Sequence, residues 1–195
     1  MVRKMNNKDI VLASMENFRK LAEDDELLKK VDNVARCIVN AVLMGNKVMI
    51  CGNGGSAADA QHMAGELVGR FYHDRLPVAA IALTTDTSVL TAVSNDFSFN
   101  EVFARQVKAL GQPHDIIIGI STSGDSENVL AAFKIANVSK ILKVLLRGEK
   151  DGEIDRMSDI IISVPSNDTP RVQEMHLLIE HIICQKVEEQ LCQNQ

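Results

Sequence analysis

The stretch DIIIGISTSGDSENV, residues 115–129, reads as a buried strand, a hydroxyl-rich turn and the start of a helix. Its apolar half is continuous, not alternating, which is the pattern of a strand covered on both faces of a parallel sheet. The turn holds Ser121, Thr122, Ser123 and Ser126 within six residues. Hydroxyls donate hydrogen bonds to an anion without adding charge. A helix starting there adds the positive end of its dipole, about 0.3–1 kcal/mol at an exposed site and up to ~2 kcal/mol when partly buried. No Lys or Arg lies in the turn, so an anion held here needs several hydrogen bonds at once. The plain alternative is a capped turn with Ser126 as N-cap, although one cap calls for one hydroxyl.

Working outward, the same texture recurs. Short apolar runs at 47–51, 78–83, 141–146 and 160–164 alternate with helical patterns at 56–70, 87–94, 101–110, 126–138 and 170–190. Two helices precede them, at 7–22 and 25–45. In the second, Leu27, Val31, Val34, Ile38 and Val42 fall at helical spacing, and Gly45 stops it. The pattern predicts one domain over residues 1–195, with N-terminal helices at about 7–45 and an α/β core at about 46–190. The core is expected to be an open, mostly parallel five-stranded sheet flanked by helices. Such sheets bind ligands at the carboxyl ends of their strands, near the point where strand order reverses.

A second turn of the same kind follows the first strand, at Gly52-Asn53-Gly54-Gly55-Ser56. Glycines let backbone N–H groups come close to an anion, and a helix N-terminus follows. The turn is neither the dinucleotide GxGxxG nor the GK[ST] phosphate loop. Its alternative is a tight turn capped by Ser56. The helix after it carries His62 and Glu66 four residues apart, on one face. The last helix carries Gln173 and His181 roughly on one side. These four suit either a metal site or an acid–base pair, and a His–Glu pair on a helix also suits a solvated surface. His73 and His114 read as solvated, His176 as lying on an exposed or interfacial helix face, Cys51 as core, and Cys184 as packing.

The net charge of −5, with no block of Lys or Arg, argues against a nucleic-acid partner. The four cysteines form no CxxC pair and read as reduced thiols of a cytoplasmic protein. The start MVRKMNNKDI has no apolar signal region, and no apolar run approaches the ~20 residues that span a bilayer.

Taken together, GNGGSAADAQHMAGEL, LTTDTSVLTAVSNDFSFNEVFARQVKALG, GISTSGDSENV and VPSNDTPRVQEMHLLIEH resemble the phosphoheptose isomerases of the sugar isomerase (SIS) fold. The resemblance runs from about residue 40 to 190. It implies conversion of sedoheptulose 7-phosphate to D-glycero-D-manno-heptose 7-phosphate, early in the synthesis of activated heptose for lipopolysaccharide or other surface glycans. It implies a homotetramer with sites between subunits and one zinc ion per subunit, held by His62, Glu66, Gln173 and His181. It places Ser121, Thr122, Ser123 and Ser126 on the phosphate. Asn53, Gly54, Gly55, Asn95 and Asp96 then approach the sugar, together with Glu66 and Gln173. Glu66 is the expected base and His181 the expected acid. A carboxylate held by zinc is a poorer base, so a Glu66 that serves as both ligand and base has to loosen from the metal during turnover.

Two positions depart from the family pattern. Asp125 stands where the loop usually reads Asn, and weakens an anion site if its carboxylate points inward. Gly65 stands where Ala is common, which costs about 1 kcal/mol in a helix interior. Two rival readings share the fold: a non-catalytic SIS protein that binds the replication initiator, and an isomerase of another sugar phosphate. The first is disfavoured because Glu66 and His181 are both filled.

Overall fold

The structure, a computed structural model, describes residues 6–193. Helices α1 (Asn7–Glu23) and α2 (Asp25–Leu43) come first. They are followed by β1 (Val48–Gly52), α3 (Gly55–Val68), β2 (Ala80–Ala82), α4 (Thr87–Asp96) and α5 (Val102–Leu110). The chain continues through β3 (Ile116–Ile120), α6 (Glu127–Val138), β4 (Leu142–Arg147), β5 (Ile160–Ser163) and α7 (Thr169–Gln193). Short 3-10 turns sit at Phe99–Glu101 and Glu153–Met157.

The five strands lie in the order β2-β1-β3-β4-β5 and every pairing is parallel, so the mostly parallel sheet expected from the sequence is parallel throughout. Successive side chains of a strand point to opposite faces. Val48 and Ile50 of β1, Ile116, Ile118 and Ile120 of β3, and Val144 and Leu146 of β4 face α2, α3 and α7. Met49, Cys51, Ile117 and Leu145 face α5 and α6. Both faces are covered, which is why the strands read as unbroken apolar runs. A fully buried side chain of this size contributes about 1.5–3 kcal/mol. Phe133 of α6, 0% exposed, is among the largest.

β2 is three residues long where six were expected, for a local reason. The Val78 N–H is diverted to the Leu67 carbonyl at the end of α3, and this edge strand has only β1 to pair with. Strand order reverses between β1 and β3. The register pairs Gly52 with Ile120, so the two predicted anion turns leave the sheet side by side.

Candidate active site

The glycine turn after β1 is shaped by Gly54, the N-cap of α3, at φ +55° and ψ −119°. That backbone region is open to glycine and strained for other residues. Ser56, the cap of the alternative reading, lies inside the first turn of α3 and is buried. The Ala57 N–H reaches the Gly54 carbonyl at 3.1 Å, and those of Gly55 and Ser56, the first two of α3, have no acceptor within the helix and are available to a ligand.

In the second turn Ser126 does occupy the N-cap of α6, but its hydroxyl makes no capping bond. It meets the Ser121 hydroxyl at 2.9 Å instead. Ser123 is exposed, and its hydroxyl accepts from the Asp125 N–H at 3.2 Å. The carboxylate of Asp125 accepts from the Glu153 N–H at 2.8 Å and so caps the short turn at Glu153–Met157. It is therefore held on another part of the chain, and the inward charge feared from the sequence is not realised.

Asn53 and Asn128 form a reciprocal amide pair, each donating to the other at 2.8 Å. It extends the β1–β3 pairing beyond the strand ends and ties the two turns together. Sequence reading missed Asn128, although an Asn in the first turn of a helix after an anion loop is a usable signal. Together the turns enclose a cavity of about 320 Å³, which Ser121, Thr122 and Ser126 line with Gly54, Gly55 and Gln173. A larger hollow, about 470 Å³, opens beside Met44, Asn137 and Lys140. Met44 ends α2 and Asn137 lies in the last turn of α6, so helix carboxyl ends and no helix N-terminus border it there, and no hydroxyl side chain lines it.

α3 and α7 lie side by side and run the same way. Near their starts the Gln173 side chain covers Gly55: a Cβ built on Gly55 would stand 2.9 Å from Gln173 Cδ. One step on, His62 Nε2 and His181 Nε2 are 2.7 Å apart, and the rings meet edge to face with centroids 5.0 Å apart. At that distance one ring donates and the other presents a lone pair. Glu66 Oε1 is 3.8 Å from His62 Nε2, with the Glu66 side chain 27% and the His62 side chain 41% exposed, open to a substrate. Asn95 and Asp96 end α4, exposed and bonded to each other at 2.9 Å, and are not among the residues lining the cavity.

Two imidazole nitrogens and a carboxylate are suitable zinc donors. His62, Glu66 and His181 are donors of that kind, and the Gln173 side chain, which also lines the cavity, carries an amide oxygen. Eight residues of helix separate Gln173 from His181, about 12 Å along the axis. Among the described residues no three His, Cys, Asp or Glu side chains are already gathered tightly enough to hold a metal.

His176, read as exposed or interfacial, is fully buried. Burial holds its imidazole down at about 4, against a smaller opposing effect of the nearby Arg147 backbone. Glu180 is also fully buried, and neither its carboxyl oxygens nor the ring nitrogens of His176 have a partner among the described residues. Burial, helped by the nearby Asp59, pushes the Glu180 carboxyl up to about 9. Cys184 is buried, and burial followed by the charge of Glu180 raises its thiol to about 12, which fits packing and not nucleophilic chemistry. Cys51 is in the core, and His73 and His114 are exposed, as expected.

Gly55→Ala tests the cavity without testing the fold. The three nearest atoms to the new methyl group are the end atoms of the flexible Gln173 side chain, so the fold gives way cheaply and Gln173 is displaced. We expect a thermal midpoint within about 2 °C of the parent. Turnover of a sugar phosphate should fall on the order of tenfold or more in kcat/KM, because small misplacements at a site are costly. Parental kcat/KM in the variant would remove Gln173 from the site.

The family model described as the SIS domain matches residues 12–163. The chain is 50% identical over 171 residues to phosphoheptose isomerase 2 of Campylobacter jejuni, covering 88% of this chain and 85% of that one. It is 46% identical over 187 residues to the phosphoheptose isomerase of Aneurinibacillus thermoaerophilus, covering 96% and 94%. The solved structure of a phosphoheptose isomerase from Francisella tularensis superimposes with a TM-score of 0.87 at 36% identity, covering 95% of this chain and 100% of that one. By model match, identity and shared fold, the chain belongs to the SIS domain family, among the phosphoheptose isomerases.

Proposed function

We propose that the chain is an aldose–ketose isomerase that converts sedoheptulose 7-phosphate to D-glycero-D-manno-heptose 7-phosphate, an early step in supplying activated heptose for surface glycans. The observation that carries this reading is the seam between α3 and α7. An anion cavity at Gly55 and Gln173 stands one step from His62, Glu66 and His181 along the same two helices.

The phosphate belongs in the cavity, on the hydroxyls of Ser121, Thr122 and Ser126 and the free N–H groups of α3. With the phosphate fixed there, the carbonyl end of the sugar extends toward Glu66 and His181. Glu66 takes the proton from the carbon beside the carbonyl, giving an enediol, and returns it to the neighbouring carbon. His181 donates a proton to the carbonyl oxygen and recovers one from the neighbouring hydroxyl. Each such group typically supplies about 10²- to 10⁴-fold. His62, Glu66, Gln173 and His181 would hold one zinc ion per subunit, and a bound zinc ion supplies Lewis acidity toward a carbonyl oxygen.

A homotetramer is supported by exposed apolar side chains on two helices: Ile10, Val11, Leu12 and Met15 of α1, and Leu177 and Leu178 of α7. A cytoplasmic location is supported by four unpaired cysteines. No helix among the described residues is long and apolar enough to cross a membrane.

The test is turnover of sedoheptulose 7-phosphate by purified protein, followed by NMR with chelator and with added zinc. Conversion that falls with chelator and returns with zinc is the expected result. Conversion indifferent to chelator keeps the isomerase and removes the metal requirement. No conversion by folded, zinc-loaded protein, alongside conversion of another sugar phosphate, overturns the heptose assignment.

A further inference from the structure

Beyond Gly55–Gln173 and His62–His181, the seam between α3 and α7 has a third step that the reaction does not use. The Glu188 side chain is 1% exposed. Its carboxylate accepts three consecutive backbone N–H groups, from Phe71 at 2.9 Å, Tyr72 at 2.6 Å and His73 at 2.8 Å. Arg75, its side chain fully buried, brings Nε to 3.5 Å from Glu188 Oε2. The same guanidinium donates to the carbonyls of Glu66 at 3.0 Å, Leu67 at 2.9 Å and Leu76 at 3.1 Å. The carbonyls of Glu66 and Leu67 belong to the last turn of α3 (Gly55–Val68), where the helix offers no acceptor-satisfying N–H of its own. One buried charge pair thus fastens the segment after α3 to α7 and to the end of α3.

Burial alone would raise the Glu188 carboxyl, but the three N–H groups and Arg75 outweigh it and hold it below the ordinary carboxylate value. A buried charge so fully engaged does not leave its place without exposing its partners.

What this fastening delivers is the Phe71 ring. It lies with its centroid 5.8 Å from the His181 ring and tilted 48° to it, while Tyr72 backs it edge-on at 4.6 Å. His181 is therefore bounded by His62 on one contact and Phe71 on another. We propose that Phe71 is a positioning residue for His181, held in place by Glu188 and Arg75, and that it keeps the imidazole turned toward His62 and Glu66. An imidazole lacking that wall has other staggered rotamers open to it, and a site needs its reacting groups held by locked neighbours. The inference rests on the reading of His181 as the acid.

Phe71→Leu is the decisive variant, because the backbone N–H that Glu188 binds is retained. The experiment compares kcat and KM for sedoheptulose 7-phosphate, and records the imidazole nitrogen NMR signals of His62 and His181 in metal-free protein. We expect kcat to fall about 10- to 100-fold, KM to stay within about threefold because the phosphate cavity is untouched, and the His181 signals to shift or broaden. Phe71→Tyr, which keeps the ring, should restore both. Glu188→Gln should reproduce the loss of kcat where it folds. Parental kcat and unchanged imidazole signals in Phe71→Leu would overturn the proposal. So would a joint loss of kcat, KM and thermal midpoint, which marks a role in the fold alone. If the parent turns over no sugar phosphate, the isomerase reading fails by itself, and the imidazole signals still decide whether Phe71 orders His181.

Discussion

Glu66→Gln lowers kcat by about 10²- to 10⁴-fold, the range for loss of a general base. The thermal midpoint stays close to the parent, because the substitution keeps size and shape on a side chain that is 27% exposed. The ion-pair contact it removes, 3.8 Å from His62 Nε2, is long and partly solvated, so little stability depends on it. His181→Gln is expected to fall in the same range but to differ in what remains. In heavy water, a base that still removes and returns the carbon-bound proton exchanges it with solvent even when the oxygen proton is not supplied. His181→Gln should therefore retain exchange at the carbon beside the carbonyl in excess of product formed, and Glu66→Gln should lose both together. Following deuterium incorporation and product in one NMR series separates the two roles. A folded Glu66→Gln protein turning over at near-parental rate would remove Glu66 from the chemistry. Exchange lost equally in both variants would mean that the base assignment belongs to the pair and not to Glu66.

How much of this was legible beforehand depends on how local each signal is. The buried strands were, because a strand covered on both faces must be apolar at every position, and 116–118 is three consecutive isoleucines. The two turns at the ends of β1 and β3 were, because each is a short run of glycines or hydroxyls at a strand end. The length of β2 was not: the Val78 N–H goes to Leu67, a partner that sequence spacing does not name. The contact of His62 with His181 spans 119 positions and was reachable only through resemblance to a family. One signal was present and unread. The buried positions of α7 come in adjacent pairs: Met175–His176, Ile179–Glu180, Ile183–Cys184 and Val187–Glu188. Continued along the helix, that period puts His176, Glu180 and Glu188 inside with the aliphatic residues. A charged residue inside an apolar stripe is where an interior charge pair or an uncharged acid should be sought.

Glu180 is such an acid, and it gives the second large effect. Burial pushes its carboxyl up to about 9 in the fold, against an ordinary value of 4.5. A folded value raised above the unfolded one means that the folded state keeps a proton that the unfolded chain gives up. The stability tied to it is full below 4.5 and is lost as pH rises toward 9. His176 runs the other way: its folded value of about 4 lies below the ordinary 6.5, so its contribution is full above 6.5 and is lost as pH falls toward 4. Between 4.5 and 6.5 the two slopes oppose each other and nearly cancel. Above 6.5 Glu180 acts without that opposition. Asp59, raised chiefly by burial, adds in the same direction as Glu180. Asp115 and Glu188, both held low, titrate below this window. Cys184, raised to about 12, begins to contribute only as pH passes the ordinary thiol value of 9.0. Between pH 6.5 and 9 the parent should therefore lose about 2–4 kcal/mol of unfolding free energy, at roughly 1.4 kcal/mol per unit. Glu180→Gln keeps shape and removes the titration, so its stability should stay nearly level over the same interval. At pH 8.5, about four units above the unfolded value, it should exceed the parent by about 5 kcal/mol at the same slope. The measurement is urea unfolding of metal-free protein at fixed concentration, since binding and subunit association shift apparent stability. A parent that is level from pH 6.5 to 9, or a Glu180→Gln variant that declines as steeply as the parent, would mean that Glu180 is not held neutral in the folded protein.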